Sequence, residues 1–146
     1  MNKEFVPYEQ TLALAELGFN ESCFKAYFKY TKSSDLSSKI ELLSPSISIY
    51  GEDFLFKNSD DLFIDNSISG DGDGAKCSAP LYQQAFRWFR EKYGYYVIFT
   101  CSRDKEISFL IPNKFDGGNW FKRNFKTYEE AELECLKKLI EIVKNK

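Results

Sequence analysis

The sequence predicts a single-domain α+β fold in which an antiparallel sheet is packed by about three helices. Helix-type apolar periodicity at the start, in the middle and at the end of the chain predicts the helices. Short runs rich in Phe, Tyr and Ile, separated by Ser, Asp, Asn, Gly and Pro, are typical of strands and turns. A length of 146 residues with 43% apolar content suffices for one hydrophobic core.

The first helix is predicted to begin at Pro7 and to run to residue 17, since proline suits a first helical position and Gly18 can adopt the left-handed conformation that ends a helix. Strands are then expected at residues 23–30, 39–43, 46–50, 53–57 and 62–64. The Gly- and Asp-rich residues 69–74 contain no apolar anchor. We therefore expect a mobile loop over residues 67–77, between an acidic strand-rich part at 22–66 and a basic aromatic part at 78–126.

The second helix is predicted to open at residues 78–80, with Pro80 near its first position, and to end at Gly94. Its apolar arc places Trp88 near one edge, while Arg87 and Arg90 face the opposite way. The members of that arc are Leu81, Tyr82, Ala85, Phe86, Trp88, Phe89 and Tyr93. A hairpin with strands at residues 95–101 and 106–111 follows by pattern, and a further strand is expected at residues 119–125.

The last helix is predicted over residues 127–145. Thr127 and Glu130 have the spacing of a capping box, and apolar residues follow at helical intervals. Glu132 is unusual because it falls near the middle of the apolar arc, where a buried lone charge is costly. Either it reaches water or a basic neighbour such as Lys126, or it contacts a partner.

The residue types argue against an enzyme. The chain has no histidine, so Ser-His and Cys-His arrangements are absent. The glycines at 70–74 lead into Ala75 rather than into a phosphate-binding motif. Asp65, Ser67 and Ser69 match the first half of a calcium loop, but Lys76 stands where the bidentate Glu is required. We therefore predict no catalytic residue and no small-molecule substrate.

The cysteines predict neither a metal site nor a disulfide framework. Cys23, Cys77, Cys101 and Cys135 are far apart, and no histidine completes a zinc site. Buried, reduced thiols are the simpler interpretation. No apolar run approaches the roughly 20 residues that cross a bilayer, and the N-terminus lacks a signal peptide. We expect a cytoplasmic protein without membrane contact, metal or cofactor.

Charge is divided unevenly along the chain. Residues 32–76 carry 4 Lys against 9 Asp and Glu, whereas residues 77–126 carry 9 Lys and Arg against 4 acids. Two parts of one fold can attract each other in this way, or either part can meet a partner. Arginine combined with aromatic residues serves RNA stacking and phosphate contacts, and the same mixture supplies hot spots for proteins. The candidate partner-binding residues are Arg87, Trp88, Arg90, Trp120, Lys122 and Arg123.

Three blocks of the sequence resemble small uncharacterised proteins of Bacteroidetes phages and prophages. They are FVPY at 5–8 with ELGF at 16–19, SAPLYQQAFRWFREKY at 78–93, and TYEEAE at 127–132 continuing into LKKLI at 136–140. The resemblance covers about half of the chain, excludes residues 25–76 and assigns no catalytic residue. It implies a small protein in the cytoplasm of the host cell, of the kind that often inhibits host defence.

Two functions remain open at this point. The first, which the resemblance implies, is a non-enzymatic anti-CRISPR protein that binds an RNA-guided nuclease effector, with type VI favoured, or its guide RNA. The alternative is a nucleic-acid-binding accessory module of phage replication or packaging, which the basic aromatic part by itself suggests. The acidic residues 32–76 are the competing location for the interface.

Overall fold

A computed structural model describes residues 3–31, 38–43, 74–112 and 118–146. These residues contain three helices, α1 (Tyr8–Glu16), α2 (Tyr82–Tyr93) and α3 (Tyr128–Lys144). They also contain six strands, β1 (Lys25–Thr31), β2 (Ser38–Leu43), β3 (Gly74–Ala79), β4 (Ile98–Cys101), β5 (Ile107–Ile111) and β6 (Trp120–Phe125). The predicted α+β class, with antiparallel pairing and three helices, is confirmed. The described strands form two three-stranded sheets, where the sequence had suggested one.

The chain divides into two compact units. Residues Met1–Val6 and Leu81–Lys146 belong to the first, and Pro7–Pro80 belong to the second. In the first unit the N-terminal segment is attached beside α2, since Phe5 forms an isolated bridge with Leu81 and the Tyr82 N–H donates to the Glu4 carbonyl at 3.1 Å. That the whole chain folds as a single domain stays a prediction.

The second unit combines α1 with a sheet of strand order β2-β1-β3. Strand β1 lies between two antiparallel neighbours, with Ala26 opposite Leu43 on one side and opposite Ser78 on the other. A bulge at Tyr27 and Phe28 interrupts the pairing with β3. The small buried core contains Leu14, Phe19, Cys23, Ala26, Cys77 and Ala79.

Strand β3 corrects the predicted loop over residues 67–77. Residues from Gly74 onward form a strand, although Gly-Ala-Lys-Cys-Ser-Ala has little intrinsic strand preference. The strand forms because its backbone N–H and C=O groups pair with those of β1, a distant contact that local side-chain preferences do not indicate. The predicted strands at 46–50, 53–57 and 62–64, and the loop residues before Gly74, lie outside the described residues.

The first unit packs α2 and α3 with a sheet of strand order β4-β5-β6. Helix α3 contacts α2, β5 and β6, so it covers one face of the sheet. The fully buried side chains at this junction are Ala85, Phe89, Phe109, Ile111, Leu136 and Leu139. Within the described residues, none of the helices combines the length and apolar character that crossing a membrane needs.

The helix ends follow their local signals, with two shifts. Pro7 is the N-cap of α1, so the helix begins at Tyr8, one residue later than predicted. Helix α2 begins at Tyr82 rather than at Pro80, because the Leu81 N–H donates to the Gln84 side-chain oxygen at 3.1 Å and so marks the N-cap. Gly94 ends α2 with φ of 74°. At the start of α3 the predicted cap is confirmed, as the Thr127 hydroxyl accepts from the Glu130 N–H at 3.2 Å.

Candidate nucleic-acid interface

The structure separates the predicted partner-binding residues into two places within the first unit. Arg87 and Arg90 are exposed on α2. On β6, Trp120 is half-buried, and Lys122 and Arg123 are exposed. Arg87 and Arg90 line a groove beside α2 and β4, and Trp120 and Lys122 line another between β6 and α3, whereas Arg123 lines neither. No single basic face therefore contains them all.

The α2–β4 groove is the more open of the two. Its volume is about 480 Å³, which lies within the range of small-ligand sites. It is lined by Leu81, Gln83, Gln84, Phe86, Arg87, Arg90, Tyr95, Tyr96, Val97, Phe99 and Tyr128. The groove is thus lined by residues of α2, of β4 and the chain that enters it, and by the first residue of α3.

The basic side of this groove consists of Arg87 and Arg90. Residues three apart on a helix lie on the same face, roughly 4.5 Å apart along the axis. Both side chains therefore lie beside the same groove. The guanidinium group is charged at all physiological pH values and offers five N–H donors, so this wall is suited to an anionic ligand.

The aromatic side of the groove is formed by residues that the sequence analysis did not single out. Tyr96 and Tyr128 are 48% and 46% exposed, so part of each ring is accessible. Phe99 packs against Tyr128, with its ring centroid 5.0 Å from that of Tyr128 and 5.6 Å from that of Phe86. The sequence could have indicated Tyr96, because it lies two residues after Gly94, which ends α2, and so does not belong to the apolar face of that helix.

Polar groups complete the α2–β4 groove. The Gln83 side chain is exposed and lies along it, whereas the Gln84 oxygen already accepts the N-cap hydrogen bond. Burial, together with the nearby Glu132 carboxylate and Cys135 thiol, raises the pKa of the Tyr128 hydroxyl. That hydroxyl therefore stays protonated near neutral pH and can donate a hydrogen bond.

Trp88, which the sequence predicts to be a partner-binding residue, is buried. Its side chain is only 7% exposed. The indole ring packs edge-on against Phe89 and Tyr93, at centroid distances of 5.0 and 5.4 Å, and the Lys92 ammonium lies 4.9 Å from its centre. Trp88 is thus buried as a member of the apolar arc to which its wheel position assigns it, and it offers little surface to a partner.

The β6–α3 groove has a different character. The Lys122 ammonium lies 3.0 Å from a Glu134 carboxylate oxygen, and Lys137 lies 3.0 Å from the other. A hydrogen bond from Lys122, and a smaller effect of the one from Lys137, lower the pKa of the Glu134 carboxyl group. Because Lys122 is already paired with Glu134, it is a weaker phosphate ligand than the sequence suggested, although Lys137 shares that carboxylate and the three groups keep one net positive charge. Trp120 and Phe121 line the same groove.

An acidic cleft of about 400 Å³ adjoins the α2–β4 groove. Glu4, Glu129 and Glu132 line it, and it shares Leu81, Gln83 and Tyr128 with the groove. Desolvation, followed by the charge of Glu129, raises the pKa of Glu132 to about 7. In the described part of the chain Glu132 makes no ion pair with Lys126, whose N–H instead donates to Glu130 at 3.3 Å. Although Glu132 is partly protonated near neutral pH, the acidic side chains outnumber Lys3 in this cleft, so its net charge is negative.

The cysteines are placed partly as expected. Cys23, Cys77 and Cys135 are buried free thiols, whereas Cys101 is exposed. Over residues 3–31, 38–43, 74–112 and 118–146, no group of His, Cys, Asp or Glu has an arrangement that could hold a metal ion. Comparison of this chain with models of protein families, with curated protein sequences and with solved structures finds no match.

Proposed function

We propose that this protein is a non-enzymatic RNA-binding inhibitor whose α2–β4 groove holds RNA. The observation that carries the proposal is the pairing of Arg87 and Arg90 on one wall with the exposed rings of Tyr96 and Tyr128 in the same groove. In the phage setting that the sequence resemblance implies, the RNA is the guide of an RNA-guided nuclease effector.

Physical chemistry supports this assignment. Arginine binds phosphate oxygens through two parallel N–H donors, and neutralising phosphates releases counterions, which makes binding favourable and dependent on salt. Stacking of a base on an aromatic ring contributes about 1–3 kcal/mol. The groove supplies both kinds of contact within one concavity.

The same groups favour binding over catalysis. The arginines keep their charge near neutral pH, and the raised pKa of Tyr128 keeps its hydroxyl protonated. General acid–base catalysis needs a group whose pKa lies close to the working pH. Arg87, Arg90 and Tyr128 are therefore suited to hold and orient RNA rather than to exchange protons with it.

The decisive experiment is a fluorescence-polarisation titration of a labelled oligouridylate at several salt concentrations. The test variant is Arg87→Ala with Arg90→Ala. Its matched control is Arg103→Ala with Lys105→Ala, which removes two charges from the exposed β4–β5 turn. We expect the test variant to lose at least about tenfold in affinity and about two units of salt slope, while the control changes little. Equal losses in both variants would contradict the proposal.

Inhibition requires its own measurement. A type VI effector loaded with guide RNA should cleave its target more slowly when the wild-type chain is added, and the Arg87→Ala, Arg90→Ala variant should inhibit less. If the chain binds RNA but leaves cleavage unchanged, the inhibitor assignment is wrong. The accessory nucleic-acid-binding function would then account for the groove.

A further inference from the structure

We infer that the ligand of the α2–β4 groove is single-stranded RNA, with an unpaired base stacked on the ring of Tyr128 and its phosphates directed to Arg87 and Arg90. The inference rests on the proposed RNA-binding function and specifies which form of RNA is recognised. It follows from the rigidity of Tyr128, the accessibility of its ring and the distribution of charge around it.

Tyr128 is held in place before any ligand arrives. It is the first residue of α3, directly after the Thr127 cap. Its ring lies against Phe99, which also contacts Phe86 and the buried Phe109, at centroid distances of 5.6 and 6.4 Å. A ring that is already fixed loses little conformational entropy when a base stacks on it, so more of the stacking energy appears as affinity.

The exposed half of that ring requires an unpaired base. Within an A-form duplex the faces of the bases are covered by their neighbours, and the major groove is too deep and narrow for side chains to read. A duplex could therefore contact the arginines through its phosphates but could not use Tyr128. An unpaired base can reach the ring and present its edge to the Gln83 amide, which lines the same groove.

Charge sets the direction in which the strand lies. Beyond Tyr128 the adjoining cleft contains Glu4, Glu129 and a partly protonated Glu132 against Lys3, so its net charge is negative and it repels phosphate. Arg87 and Arg90 attract phosphate within the groove itself. A strand whose backbone follows the arginines and whose base points to Tyr128 satisfies both constraints, whereas a strand that continues into the acidic cleft does not.

The test compares a labelled oligouridylate with an RNA duplex of the same length, in polarisation titrations of the full chain. We expect wild type to prefer the single strand by about tenfold, since one stacked base is worth about that factor. Tyr128→Leu keeps apolar bulk but removes the aromatic face, so it should lose most of this preference. Tyr128→Phe keeps the face and should stay within about twofold of wild type.

Stacking is read out directly with an oligonucleotide that contains 2-aminopurine, whose fluorescence is quenched when it stacks. Quenching should occur with wild type and Tyr128→Phe and be lost with Tyr128→Leu, with melting curves to confirm folding. If single strand and duplex bind equally and depend on Arg87 and Arg90 but not on the Tyr128 ring, the inference is overturned and the proposed function stands. If wild type binds neither RNA, both are overturned.

Discussion

Tyr128, the first residue of α3, packs against Phe99 of β4 with 5.0 Å between ring centroids and 50° between ring planes. The contact joins the start of the last helix to the edge strand of the sheet, and both rings line the α2–β4 groove. Aromatic pairs in this geometry contribute about 0.5–1.5 kcal/mol beyond the apolar area they bury.

That contact predicts energetic coupling between the two rings. In a double-mutant cycle of Tyr128→Leu and Phe99→Leu, measured by denaturant unfolding, the two changes should be non-additive by about 0.5–1.5 kcal/mol. Ile98→Leu, on an exposed neighbouring position, serves as the control and should show additive effects with Tyr128→Leu. Additivity for the Phe99 pair would mean that the rings do not support each other.

Glu132 predicts a pH-dependent stability. Burial raises its pKa from 4.5 to about 7, so the folded state binds a proton more tightly than the unfolded state. The resulting stabilisation is complete below about pH 4.5 and is lost as the pH rises to about 7 and beyond. Glu132→Gln, which mimics the protonated form, should therefore stabilise the protein at pH 8 relative to wild type.

Solvent screening of the half-buried carboxylate reduces the expected gain at pH 8 to about 1 kcal/mol. At pH 4.5 the gain should nearly vanish, since wild-type Glu132 is then mostly protonated. Glu141→Gln, on the exposed side of α3, is the matched control and should not reproduce this pH dependence. Equal stabilisation by Glu132→Gln at both pH values would contradict the prediction.

Gly94 predicts a conformational cost at the end of α2. Its φ is 74°, a region that side chains with a Cβ disfavour, and no atom lies within 4 Å of the position a Cβ would take. Gly94→Ala should destabilise the protein by roughly 1 kcal/mol through backbone strain alone. Gly118 also has open space around it and no positive φ, so Gly118→Ala should cost much less. The measurement is urea unfolding of both variants.

The cysteines should differ sharply in reactivity. The Cys101 thiol is exposed, whereas burial raises the pKa of Cys23 to about 11 and that of Cys77 to about 12, and Cys135 is also buried. Since the thiolate is the reactive form, a thiol reagent at neutral pH should modify one cysteine quickly and the other three only after unfolding. Mass spectrometry of Cys101→Ser should show no fast modification; a second fast-reacting site would contradict the buried positions.

The amino-acid sequence by itself determined the features that depend on neighbouring residues. Helix α3 could be predicted because its Thr127 cap and the spacing of its apolar residues both lie within one continuous segment. The β4–β5 hairpin was predictable for the same reason, and its turn is closed by a 2.9 Å bond from the Ser102 N–H to the Glu106 carbonyl. Arg87 and Arg90 were recognised as exposed because their positions on the helical wheel oppose the apolar arc.

Tertiary structure decided what depends on residues far apart in the chain. Strand β3 is stabilised by backbone pairing with β1, and the residue types within β3 do not predict this pairing. Lys122 is paired with Glu134 of a later helix. The α2–β4 groove likewise brings Tyr96 and Tyr128 beside the two arginines. Local patterns set hydrogen-bond periodicity and capping, whereas burial and charge pairing are set by whichever distant side chains the fold brings into contact.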